Sequence, residues 1–177
     1  MKRILCAVLV LLLLAGCKAP WETKHEDWLL GEGNGQEATV VQQKISKETL
    51  VQALELMMLE NAGEDTTRYL EELHEQRKFQ VTGYTQDEQT ITAQVTITVP
   101  DMYAAAKAIE SEIFSTGDEA DAAMCQAMKT VPIRNVTLEV TLVAQGATWQ
   151  VVVSEALLDA CYGGLLTYQR EYMQEVA

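Results

Sequence analysis

From Thr90 to Val99 every odd-numbered residue is apolar and every even-numbered one is threonine or glutamine. A period of two held over ten residues predicts a strand with one face buried and the other wet. Val136, Leu138, Val140 and Leu142 repeat the alternation, and Trp149, Val151 and Val153 do so again beyond a turn at Gly146. Phe79 and Val81 open a strand ahead of the long one, and the polar stretch Gln86-Asp87-Glu88-Gln89 joins the two at hairpin length. The pattern therefore predicts four strands in two hairpins, forming an antiparallel sheet that is packed on one side only. Its open side would show Thr92, Gln94, Thr96, Thr98, Thr137, Glu139 and Thr141, a flat surface rich in hydroxyls. Ordering short threonines loses little entropy, which suits such a surface to contact. Threonine is also the best polar strand former, so propensity alone accounts for the same residues.

Elsewhere the apolar period changes to that of a helix. After Ser46, a good N-cap with Glu48 in the first turn, Leu50, Ala53, Leu54, Met57 and Met58 recur at helical spacing until Gly63. A second helix is predicted from Asp65-Thr66-Thr67, with Tyr69, Leu70 and Leu73 on one side and Arg68, Glu71, Glu72 and Glu75 on the other. Pro100-Asp101 closes the long strand and caps a third, whose Met102, Ala106, Ile109 and Ile113 share a face. Ser115-Thr116-Gly117 breaks it, and Asp118 is expected to cap a fourth with Ala120, Ala123, Met124, Ala127 and Met128 inward, ending before Pro132. A short helix over Glu155 to Cys161 and Gly163-Gly164 lead to a tail in which Leu165, Tyr168 and Tyr172 share one side. That tail is the chain's own candidate to cover the open sheet face or to dock on a partner.

These elements give an α+β fold: a curved antiparallel sheet of about four strands with helices packed on one face. Over Ser46 to Cys161 the element order resembles the cystatin-like rolls, particularly the nuclear-transport-factor-like domains of many small bacterial lipoproteins. The stretch Gly146-Ala147-Thr148-Trp149-Gln150-Val151 looks like the hairpin these domains often carry near their ends. The helical insertion at 101–131 is longer than the simplest members need. The resemblance implies a roll that, in enzymes, uses a cone-shaped cavity holding an Asp/His or Asp/Tyr arrangement. Fold likeness alone does not carry function across.

The N-terminus sets where the domain is placed. Lys2 and Arg3 precede twelve apolar residues, Ile4 to Ala15, followed by small residues and Cys17. Such a run covers about 18 Å as a helix, short of a hydrocarbon core near 30 Å thick, so it reads as a secretory signal rather than a membrane span. Leu14-Ala15-Gly16-Cys17 resembles the lipobox of bacterial lipoproteins. That likeness implies cleavage after residue 16, a diacylglyceryl group on the Cys17 thiol, and a chain held at the extracytoplasmic face of the membrane by acyl chains. An ordinary secretory signal that happens to precede a cysteine is the alternative.

Residues 17–45 then read as a lipidated flexible tether, with Pro20, Gly31, Gly33 and Gly35 and an r.m.s. reach of about 30 Å. Trp21 and Trp28 interrupt it and have two uses, at the membrane interface or docked on the domain. The domain is expected over 46–161 and the amphipathic tail over 162–177.

Composition narrows the classes. The whole chain carries 13 basic and 26 acidic residues. Loss of Lys2 and Arg3 leaves 11 against 26, a formal balance of −15. Phosphate backbones and anionic head groups would repel it, which argues against a nucleic-acid partner and for an acyl anchor.

Candidate chemistry is sparse. His25 lies in the tether, and His74 sits among charged helix residues; Glu71 and His74 have the i, i+3 spacing of carboxylate metal sites, but no second such pair exists. Asp118, Glu119 and Asp121 lack the loop spacing and central glycine of a calcium-binding hand, and acidic residues are favoured in a first helical turn anyway. Asn135-Val136-Thr137 matches a glycosylation acceptor but falls in a predicted strand. Cys125 and Cys161 form no Cys-x-x-Cys pair and have no basic neighbour in sequence. Two readings of them stand: a disulfide closing a 37-residue loop, worth about 3 to 4 kcal/mol, or two buried free thiols acting as small hydrophobes.

No catalytic, cofactor-binding or metal-ligating residue emerges. The expectation is a non-enzymatic, lipid-anchored extracytoplasmic domain that binds a protein, a peptide or a small molecule. An enzyme with a small-molecule pocket would instead need at least one buried carboxylate near a tyrosine or histidine. A structural envelope spacer is a third class.

Overall fold

Four antiparallel strands form the sheet, and their order in space is their order in the chain: β1 (Lys78–Gln86), β2 (Thr90–Pro100), β3 (Ile133–Gln145) and β4 (Thr148–Val151). The computed structural model describes residues 45–61, 67–146 and 148–176. Six helices accompany the sheet: α1 (Lys47–Asn61), α2 (Arg68–Gln76), α3 (Met102–Ile109), α4 (Gly117–Met128), α5 (Glu155–Cys161) and α6 (Leu165–Val176). The fold is α+β, as the alternation predicts, with helices on one face of the sheet.

On β2 the period of two becomes burial. Ile91, Ala93, Val95, Ile97 and Val99 are fully buried, whereas Thr92, Gln94, Thr96 and Thr98 are exposed or half-exposed. The β1–β2 turn is held by Asp87, whose Oδ1 accepts from the backbone N–H groups of Gln89 (2.9 Å) and Thr90 (2.6 Å). A bulge between Val81 and Gly83 shifts the register, so that Tyr84 returns to the inner side beside Val81.

α1 packs on β1 and β4, α2 on β2, and α5 on β2 and β3. α3 and α4 pack on each other, α4 also on α2, and α6 on α3 and α5. Two predicted helix limits are corrected. α3 stops at Ile109 and leaves Ile113 exposed, because a turn closed by Glu112 N–H on Ile109 O leads into the polar stretch before α4. The cap of α4 is Thr116 rather than Asp118: its hydroxyl accepts from Glu119 N–H, while the Glu119 carboxylate accepts from Ser115 N–H at 2.7 Å.

The tail departs further from expectation. Leu165 and Tyr168 lie in the core, and α6 packs on the helix side rather than over the threonine face. The core thus extends past the limits 46–161 at both ends, since Ile45 also belongs to it. What turns the chain into α6 is Gly163-Gly164, at φ +61° and +88°. A Cβ on Gly163 would lie 2.2 Å from Pro100 O, and one on Gly164 would lie 2.1 Å from Arg134 Nη1, so both sites require glycine. The expected signal and lipobox with Cys17, together with Trp21, Trp28 and the expected helix stop at Gly63, lie outside the described residues.

Candidate functional site

The open sheet face is built from rows of short side chains that bond to one another. Thr96 and Thr137 share a hydroxyl–hydroxyl bond of 2.9 Å, the Thr98 hydroxyl donates to Asn135 Oδ1 at 2.7 Å, and Gln94 Nε2 donates to Glu139 Oε2 at 3.3 Å. Register explains the pairing, because Gln94, Thr96 and Thr98 stand directly opposite Glu139, Thr137 and Asn135. The rows leave a level surface whose far end carries exposed Val143 and Val152.

A second feature is a polar cleft of about 360 Å³ lined by Asp101, Tyr103, Arg134, Asp159 and Thr167. Periodicity could not have found it, because its residues come from the cap and first turn of α3, the start of β3 and two helices separated by glycines. Each lining group already has a bond. Asp101 Oδ1 accepts from Ala104 N–H at 3.0 Å, and Arg134 Nη1 donates to Gly163 O at 3.1 Å and stands 3.8 Å from Asp101. Asp159 accepts from both the N–H and the hydroxyl of Thr167, at 2.9 and 2.8 Å, and Tyr103 donates to Glu171. The cleft thereby ties the starts of α3, β3 and α6 together, and its carboxylates remain partly exposed.

The sequence-derived candidates separate in space. Cys125 and Cys161 are buried free thiols, and burial raises the pKa of both, Cys161 to about 12. Such thiols are poor nucleophiles. His74 offers Nδ1 to Arg77 Nη2 at 2.6 Å. Asp121 accepts from the backbone N–H groups of Arg68 (3.2 Å) and Tyr69 (3.0 Å), so it caps the start of α2 from a neighbouring helix. Asn135 is exposed on the open face.

Arg77 carried no sequence signal. It is the buried charged residue among the described ones; burial lowers its pKa, it donates to Cys161 O at 3.3 Å, and it lies 5.5 Å above the Phe79 ring. Only tertiary packing brings the end of α2 to the end of α5, which is why a lone arginine between helix and strand gave no warning. Compared with known proteins, the chain matches no family model, no curated protein and no solved structure.

Proposed function

We propose that the mature chain is a lipid-anchored extracytoplasmic binding domain without catalytic activity, and that it meets its partner through the threonine face of the sheet. The observation that carries this reading is the division of the sheet: its inner face is packed by helices, and its outer face offers mostly short, entropically inexpensive side chains from β2 and β3. The charged chemistry of the described residues supports it as well. Arg77 is engaged in packing, and the carboxylates of the polar cleft are partly exposed and hold helix starts. The acyl chains on Cys17 would keep the domain at the membrane, with residues 17–45 as its leash. The likeness to cystatin-like and nuclear-transport-factor-like rolls belongs to this proposal and rests on element order.

A photo-crosslinking residue at Thr96, in the full chain expressed in its own envelope, tests the reading, with the same residue at exposed Gln126 on α4 as control. A discrete adduct from position 96 and none from 126 is expected. Equal labelling at both, or none at either, would remove the face from the account.

A further inference from the structure

β3 is thirteen residues long, yet β4 pairs only with Leu142 to Gln145. One further bond, from Val152 N–H to Thr141 O at 2.8 Å, shows which way the backbone alternates: odd-numbered residues of β3 turn their polar groups to the β4 side. Asn135, Thr137 and Glu139 therefore present backbone N–H and C=O groups along an edge that no strand covers among the described residues. All three are exposed, and below them Val136 and Leu138 are only half-buried.

Proteins protect such edges with bulges, lysines or prolines. The opposite edge is protected: β1 has a bulge at Val81/Gly83, and Lys47 Nζ donates to Thr82 O at 2.8 Å beside it. The β3 edge has a regular register throughout, with glutamate as its acid and no proline from Ile133 to Val140.

We infer that the β3 edge from Asn135 to Glu139 takes an extended segment of a partner protein as a fifth strand, one with apolar residues over Val136 and Leu138 and a basic residue beside Glu139. This rests on the reading of the domain as a binding module, and it extends the contact from the sheet face onto the adjoining sheet edge. Charge selects the occupant. A second copy would bring the same acidic excess, and antiparallel self-pairing about Thr137 sets Asn135 opposite Glu139, with no opposite charge to offset that repulsion. A lysine-bearing strand has Glu139 as a direct cross-strand partner. Main-chain bonds supply affinity and the alternating side chains supply selectivity.

The test uses the full chain and the capped peptide Ser-Lys-Val-Thr-Val-Lys-Ser, read by residue-resolved amide exchange. The free protein should exchange Asn135, Thr137 and Glu139 quickly and Val136, Leu138 and Val140 slowly. The peptide should slow the first three at least tenfold, and replacing its lysines by aspartates should weaken it tenfold or more. Thr137→Pro removes an edge N–H that β2 does not use, so it should abolish the effect while melting close to Thr137→Ala, which loses the same hydroxyl bond to Thr96 and keeps the N–H. Glu139→Lys, which leaves the backbone intact, should reverse the preference between the two peptides.

Protection of those amides already present without peptide and dependent on protein concentration would assign the edge to a second copy and overturn the proposal. Peptide protection at β1 alone, or full binding by both variants, would overturn it too. The face reading fails separately. A Thr96 crosslink that Thr137→Pro leaves intact and Thr98→Lys abolishes would keep the face and sink the edge, whereas its loss with Thr137→Pro but not with Thr137→Ala, which removes the face hydroxyl and keeps the edge N–H, supports the edge.

Discussion

Adjacent residues of β2 differ most in what they tolerate. Val95 is fully buried between β1 and β3, while Thr96 faces out and shares its hydroxyl with Thr137. Val95→Asp should cost several kcal/mol in denaturant unfolding, on the scale of about 2–7 kcal/mol for burying an unpartnered polar group. Thr96→Asp should cost roughly 1 kcal/mol or less, chiefly the lost hydroxyl bond and the nearby carboxylate of Glu139. Equal losses would mean that the sheet is covered on both faces. Cys161 gives a pH prediction. Burial holds its thiol neutral and raises its pKa from 9.0 to about 12, and burial raises the Tyr168 phenol in the same direction. A group whose folded pKa is raised adds stability below its unfolded pKa and loses it as pH rises towards the folded value. The urea midpoint should therefore fall as pH climbs from about 9 towards 12, and Cys161→Ala should flatten part of that slope.

At the scale of elements, helix ends show how far a local rule reaches. The cap of α4 is local: the Thr116 hydroxyl accepts from Glu119 N–H and the Glu119 carboxylate reaches back to Ser115 N–H, a close variant of the capping box. The cap of α2 is not. Thr67 sits at its N-cap without a side-chain bond, and Asp121 of α4 supplies the acceptor instead. Asp121→Ala should cost about 1 kcal/mol, as lost caps do, and Asp118→Ala should stay within about 0.5 kcal/mol. Thermal melting of the two variants separates them. Equal effects would show that both acids act only through their general charge near the start of α4.

For the molecule as a whole, α6 decides where the domain ends. Tyr168 packs edge-on to Tyr103 at 5.9 Å between ring centres and stacks on Tyr172 at the same distance. Leu165 joins it in the core, so removing residues 165–177 takes out two buried side chains, each worth a few kcal/mol. The truncated chain should lose its cooperative melting transition or melt far lower. An unchanged transition would return the tail to the role of a free docking arm.

What the sequence determined by itself follows from periods and end signals, which act over one strand or one helical turn. The Thr90–Val99 alternation set a strand with one wet face, and the flanking alternations set an antiparallel sheet of four, because each side chain's face is fixed by its parity. The lipobox proposal for Cys17 rests on a local signal of the same kind. Contacts between distant parts were decided only by tertiary structure. The seat of α6 on α3, the cap Asp121 lends to α2, the burial of Arg77 under the end of α5, the assembly of the Asp101–Arg134–Asp159 cleft and the stretch of β3 that β4 does not reach all depend on which elements become neighbours. A residue's own neighbourhood in the chain carries no trace of a partner fifty or eighty positions away, because the hydrogen bond that joins them exists only once the core has brought the two backbones together.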